Sequence, residues 1–272
     1  MRTINNLDRV LEICKLFCAS ILIFLLTSCA TKVRKEPIST SVTEDQKQDP
    51  LEPINRKIFE FNRVVDGMLL EPFANLYNLT VNENVQRSIA SFLYNLGEPV
   101  TLANDFLQAK GERGLETFSR FMINTTFGLF GIFDVAEKLG LPRHHEDFGQ
   151  TLAVWGLPSG PYLVVPLLGS STPCSLTGRL TDFYLSPYNY YMVHYNRRQY
   201  IYVRLGVDTL VKRAQYADDI RNFRENSLDF YAAVRSFYLQ NQKAQVQDGT
   251  AEESNAPGVD AFGVDDDSKL LE

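Results

Sequence analysis

The stretch FGQTLAVWGLPSGPYLVVPLLG, Phe148 to Gly169, contains no charged side chain. The uncharged run continues to Gly178, so that 31 residues lie between Asp147 and Arg179. As one helix it would be long enough to cross a bilayer. It cannot be one straight helix, because Pro158, Pro161, Pro166 and Pro173 each remove a backbone donor and clash with the preceding turn, and five glycines loosen the rest. A segment so apolar and so broken needs its backbone sheltered by protein or lining a wet cavity.

Outward from that run, the chain has 272 residues and is 44% hydrophobic, enough for a real core and far from the composition of a disordered protein. Its net charge of −6 is unevenly placed. Residues 244–272 hold eight acids against Lys269 alone and read as a solvated, disordered tail. At the other end, Arg2, Arg9 and Lys15 precede the apolar stretch Leu16 to Leu26, and Leu26-Thr27-Ser28-Cys29 follows. This has the layout of a secretory leader and resembles a bacterial lipobox, in which the cysteine is acylated and the chain is cut before it. Residues 1–28 are then a signal peptide and Cys29 the lipidation site, carrying a diacylglycerol and a fatty acyl group, with no other cofactor expected. The alternative, an uncleaved anchor, suffers from an apolar stretch shorter than the roughly 20 residues a spanning helix needs. Ala30 after the cysteine, rather than Asp, implies by the same resemblance the outer membrane. Cys14 and Cys18 leave with the leader, so Cys174 has no disulfide partner. Without leader and tail the rest is neutral, which argues against a nucleic-acid partner.

Residues 29–48, rich in Ser, Thr, Lys, Glu and Gln, form a lipidated flexible tether that could reach roughly 65 Å at about 3.4 Å per residue. From Asp49 to Lys243 the periodicity is helical. Acids and prolines open the first helix, and Ile54, Ile58, Phe61, Val65 and Met68 recur at spacings of three and four to about Leu70. Further helices are expected near 83–94, 98–109, 112–123 and 132–139, with Gly97, Gly111, Gly128, Gly131 and Gly140 as breakers, and then near 200–214 and from Leu228 through Tyr238. Tyr162 to Val165 is the best short strand candidate. The fold class is all-α in a single domain, with room for one short β-hairpin.

The chemistry of catalysis is hard to find. His144-His145-Glu146-Asp147 offers metal-ligand types, but helical neighbours do not face one point and no second His/Cys cluster completes a site; it reads as a solvated loop with Asp147 at a helix start. No nucleophile elbow, Walker loop or dinucleotide fingerprint occurs, so the reading is no enzyme and no metal. Eighteen Phe, thirteen Tyr and Trp155 make 12% of the chain. They suit either a packed core or an outer surface that meets acyl chains with Tyr and Trp at headgroup depth.

Three blocks carry a resemblance: Asp49-Pro50-Leu51-Glu52-Pro53-Ile54-Asn55-Arg56; Arg120-Phe121-Met122-Ile123-Asn124-Thr125-Thr126-Phe127-Gly128 with Asp134; and Glu146 through Trp155-Gly156, Gly160-Pro161-Tyr162 and Pro166-Leu167-Leu168-Gly169. In order and spacing they resemble the MlaA (VacJ) family of outer-membrane phospholipid-transport lipoproteins over about Asp49 to Gln242. The resemblance implies a ring-like helical body in the inner, periplasmic leaflet of the outer membrane, with a central polar channel. Phospholipids misplaced in the outer leaflet would pass through it to a soluble periplasmic carrier of the MlaC type, in company with trimeric porins, maintaining lipid asymmetry. Channel or gate candidates on those blocks are Asn124, Asp134, Asp147, Gln150, Gly156, Gly160, Pro161, Tyr162, Pro166 and Gly169. Residues 149–169 would form the hinged edge of the channel, the alternative being a buried packing loop. After Gly169 the family's usual Arg-Asp pair is absent, and Ser170 to Ser175 stand before Arg179 and Asp182. A porin-associated structural lipoprotein without transport is the other functional reading.

Overall fold

Asn55 and Asn62 lie seven residues apart on the first helix, α1 (Glu52–Val65), and each holds a piece of extended chain by its side-chain amide. Asn55 Nδ2 donates to Tyr162 O at 3.0 Å, and Val164 N donates back to Asn55 Oδ1 at 2.9 Å. Asn62 Nδ2 donates to Val165 O at 2.9 Å, and Leu167 N donates to Asn62 Oδ1 at 2.8 Å. Seven residues of helix rise about 10.5 Å and three residues of strand about 10 Å, so two amides two turns apart meet two backbone pairs three residues apart. The helix thus stands in for a missing strand along the outer edge of β1 (Leu163–Val165). The inner edge pairs antiparallel with β2 (Gly169–Ser171), Val164 opposite Ser170. This is the hairpin anticipated at Tyr162 to Val165.

The computed structural model describes residues 49–247; the leader, Cys29, the tether and the tail beyond Gln247 lie outside the described residues. The described residues are mostly helical, in one domain. The first helix does not run evenly to Leu70 as periodicity suggests: Asp66–Leu70 is wound as a π-helix and leads straight into α2 (Glu71–Thr80). Glu71 N bonds Asp66 O, five residues back, and Pro72 beside it has no N–H to give, so a wider turn suits the place. In contrast, α3 (Glu83–Leu107) is one helix of 25 residues where a break at Gly97 was expected. Pro99 withholds one bond, but Glu98, Thr101, Asn104 and Asp105 are all buried in tertiary contacts that outweigh it.

α4 (Gly111–Thr126) follows, then α5 (Val135–Lys138), which is shorter than the expected 132–139 because Asp134 caps it. Asp147 caps α6 (Phe148–Val154), as its position before the helix suggested. Beyond the hairpin come α7 (Pro173–Leu185), α8 (Pro187–His194), α9 (Gln199–Gln215), α10 (Ala217–Asn226) and α11 (Phe230–Val246). Thr172, Ser186 and Asp229 cap α7, α8 and α11. The last helix extends three residues past the expected tail boundary at Lys243. A small apolar core of Tyr162, Val164 and Tyr231, edged by Ile58, Phe59, Tyr238 and Leu239, joins α1, the hairpin and α11. Phe59 meets Tyr231 edge-on at 5.5 Å.

Helices α6 and α7 touch backbone to backbone. A Cβ on Gly178 would lie 2.3 Å from Gly149 N, and Cys174 Sγ meets Gly149 O at 3.5 Å. Gly178→Ala must force these helices apart, at a cost of about 1–3 kcal/mol for overpacking. A fall in detergent-solubilised melting temperature, with Gly97→Ala as the control because a Cβ on this helical glycine meets nothing within 4 Å, checks this.

Candidate functional site

The polarity of the described residues is inverted. The largest fully buried side chains include Arg120, Glu98, Glu146, Asn55 and Asn104, whereas Phe127, Phe130, Leu79, Met68 and Leu167 are each more than 70% exposed. The buried polar groups come from repeated positions. Glu98, Thr101, Asn104 and Asp105 line one face of α3, and Gly114, Thr117, Arg120 and Asn124 line the facing side of α4. The 140–147 segment runs between them.

At the centre Arg120, with no exposed surface, donates from Nε to Glu98 at 3.1 Å, from Nη2 to Asp134 at 2.7 Å and from Nη1 to the Leu141 carbonyl. Asp134 also receives Arg143 Nε at 2.7 Å and Asn124 Nδ2 at 2.9 Å. Both guanidiniums flank the Tyr94 ring, at 5.0 Å for Arg143 and 5.8 Å for Arg120. Burial pushes the Glu98 carboxyl up to about 7 against the pull of Arg120. Burial also opposes ionisation of Asp134, but Arg143, Arg120 and the Glu137 amide together hold it down to about 2.

Two further polar groups extend the hub. His144 Nε2 lies 3.1 Å from both oxygens of buried Asp105, whose Oδ2 accepts the Thr117 hydroxyl at 2.6 Å. Glu146, buried, is bound by Lys110 at 3.0 Å, Arg113 at 3.2 Å and Gln108 at 2.8 Å. The expected solvated loop is therefore corrected: only His145 of the His-His-Glu trio is exposed. Polar helix faces on α3 and α4 supply partners for the rest. Thr151 links to Asn104, and Asn104 Nδ2 to Asp182 at 3.0 Å; burial raises Asp182 to about 6 even though Phe148 N also bonds it.

The ten candidate residues fall in two places. Asn124 and Asp134 belong to the hub, where Asn124 Oδ1 also accepts the Val135 and Ala136 amides. The other eight follow the chain from Asp147 to Gly169. Asp147 caps α6; Gln150 is buried, with Oε1 unmatched and Nε2 on the His145 carbonyl at 3.3 Å. Gly156 and Gly160 adopt positive φ in the exposed loop to the hairpin, and Pro161 is exposed beside them. Tyr162 is buried with its hydroxyl on Ser170 at 2.8 Å, and Pro166 and Gly169 bracket the hairpin turn. Sequence reasoning missed Glu98, Asp105, Arg143 and Asp182. For Glu98 and Asp105 the readable signal was polar residues recurring at helical spacing along α3; Arg143, on the irregular 140–147 segment, offered none.

A buried ion-paired network beneath many large exposed apolar side chains departs from the usual pattern of a protein surrounded by water. No helix among the described residues is long and apolar enough to cross a membrane. The chain belongs to the MlaA lipoprotein family, whose pattern matches residues 47–245. It is 32% identical to the intermembrane phospholipid transport system lipoprotein MlaA of Haemophilus influenzae, covering 84% of this chain and 89% of that one. Against the Escherichia coli protein of the same name it is 30% identical, over 91% and 94%. A Rickettsia bellii protein without an assigned function is 37% identical over 73% and 77%. A solved chain, from work on the structural basis for maintenance of bacterial outer membrane lipid asymmetry, superposes with a TM-score of 0.65 at 34% identity, covering 73% of this chain and 98% of that one.

Two outcomes follow from the hub. Arg120→Ala leaves Glu98 and Asp134 without their shared partner and should cost about 3–5 kcal/mol, read by denaturant unfolding in detergent. The pH response has a definite sign. Glu98 and Asp182, raised in the folded state, make the body more stable as pH falls from 8 towards 5, and that gain is lost as pH rises through about 6 to 7. Asp134, depressed to about 2, works the other way only below about pH 4. The melting temperature should peak near pH 4–5, and Glu98→Gln should flatten the slope between pH 5 and 7.

Proposed function

We propose that the described body sits in the periplasmic leaflet of the outer membrane and offers phospholipid headgroups a polar route through that leaflet. As an MlaA lipoprotein it serves intermembrane phospholipid transport and maintains outer-membrane lipid asymmetry; it is not an enzyme. The observation that carries the leaflet reading is the inverted polarity, since apolar side chains left exposed at Phe127, Phe130, Leu139 and Met68 are stable against acyl chains and costly in water.

Flipping a phospholipid is slow because its charged headgroup must cross hydrocarbon. A polar-lined passage removes most of that barrier, and the acyl chains slide along an apolar rim without a comparable penalty. No covalent chemistry is required, so the buried ionic groups serve as scaffold. On this reading Gln150, Gly156, Gly160, Pro161, Tyr162, Pro166 and Gly169 form the gated edge of the passage, and Cys29 carries the lipid anchor. Trimeric porins would hold the body in place, and an MlaC-type carrier would receive the phospholipid.

The hairpin tip supports a role at the rim. Pro166 and Leu167 occupy a turn closed by Leu168 N to Val165 O at 3.2 Å, and Leu167 and Leu168 are both exposed. In a strain lacking the gene, wild-type chain should restore low outer-leaflet phospholipid. Leu167→Asp with Leu168→Asp should leave abundance and membrane fractionation near normal while outer-leaflet phospholipid rises severalfold. Restoration of asymmetry by that double variant would remove the hairpin tip from the mechanism. Cys29→Ala should abolish outer-membrane fractionation altogether.

A further inference from the structure

From Phe183 to Val207 the chain has no acidic residue, yet it holds Arg197, Arg198 and Arg204 and seven of the thirteen tyrosines. This stretch is the end of α7, all of α8 and the first half of α9. Such a composition is out of place in a body whose remaining residues, within 49–243, hold 16 bases against 20 acids. The structure does not use these side chains to make a core: Tyr184, Tyr190, Tyr191, Tyr195, Tyr200 and Tyr202 are all exposed. Neither Arg197 nor Arg198 has a carboxylate partner among the described residues, and both are exposed at the α8–α9 corner. The neighbouring rings are ordered on one another, Tyr191 on Tyr195 at 4.4 Å and Tyr190 stacked on His194 at 6.0 Å. Tyr188 donates its hydroxyl to the Tyr200 carbonyl across the corner and lies under the Arg204 guanidinium at 5.1 Å.

We infer that the α8–α9 corner is a docking surface for the anionic phospholipid headgroups of the leaflet, with Arg197 and Arg198 on phosphate and the flanking tyrosines at headgroup depth. Three features favour a lipid surface over any other polyanion. Guanidiniums fit phosphate oxygens bidentately. Tyrosine, apolar in body and polar at its tip, concentrates where hydrocarbon meets headgroups. Val203, Leu205 and Val207, further along α9, are exposed as well. They lie about 8–14 Å along the helix from Arg198 at 1.5 Å per residue, close to the depth of one leaflet's hydrocarbon. A nucleic acid or acidic peptide would account for the arginines but would leave this aliphatic continuation facing water.

This inference rests on the leaflet reading and specifies what that leaflet must contain. The test is flotation of the mature full-length chain carrying Cys29→Ser, so that no acyl anchor contributes. One set of vesicles is phosphatidylcholine; the other is phosphatidylcholine with 30% phosphatidylglycerol. The chain should float with both and bind the anionic set more tightly, the excess shrinking as salt is raised. At about fivefold per arginine, Arg197→Gln with Arg198→Gln should lower anionic-vesicle affinity roughly 10- to 30-fold and leave phosphatidylcholine binding unchanged. Circular dichroism checks that the variant is folded. Equal binding to both vesicle sets by the unsubstituted chain overturns the headgroup assignment while leaving the leaflet reading intact. An anionic preference that survives in a folded double variant also overturns it. Failure to float with either set removes the leaflet reading and this inference with it.

Discussion

A guanidinium with no exposed surface must have its donors met, and Arg120 meets them from three separate parts of the chain: Glu98 on α3, Asp134 at the start of α5, and the Leu141 carbonyl. Once those bonds form, α3 and α4 are fixed face to face, the 127–133 loop is closed, and the 140–147 segment is drawn between the helices. His144 and Glu146 then reach Asp105 and the Lys110, Arg113 and Gln108 cluster without further choice of conformation. Breaking such a bond set is far more costly than its net contribution to stability, because the lost partner leaves a buried charge behind.

The same constraint frees the exterior. A fold cohering through interior ion pairs and amide bonds does not need its large apolar side chains inside, and here they are turned out along α1, α2 and the 127–133 loop. In water that surface would favour aggregation; against acyl chains it has no driving force to hide. The polar interior and the apolar exterior are one solution to one solvent. They explain why this chain holds ionisable clusters that resemble catalytic sites in composition and are engaged in architecture instead.

The sequence announced the helices better than it announced their orientation. Ile54 and Phe61 located α1 by their spacing, yet they are exposed while Asn55, one residue along from Ile54, is buried. Periodicity gives a helix its stripe but not the solvent that the stripe faces. Gly97 suggested a break that tertiary bonds overrode, and the proline-led helices α7 and α8, mixing Ser, Thr, Asn and Tyr with few aliphatic residues, show no clear apolar stripe. The hairpin, the Asp147 cap and the family were legible because turn chemistry, cap chemistry and fixed block spacing are local. The hub was not, since Glu98 and Asp134 meet Arg120 from 22 and 14 residues away.

The amide rungs between α1 and β1 make the hairpin's seating digital. Each rung is a donor and an acceptor in fixed order, so a shift of β1 by one residue would set amide against amide and carbonyl against carbonyl. No partly displaced position keeps half of the four bonds in good geometry, because both asparagines ride on the same rigid helix. The hairpin is therefore either latched or loose, and whatever loosens one rung unfastens the other.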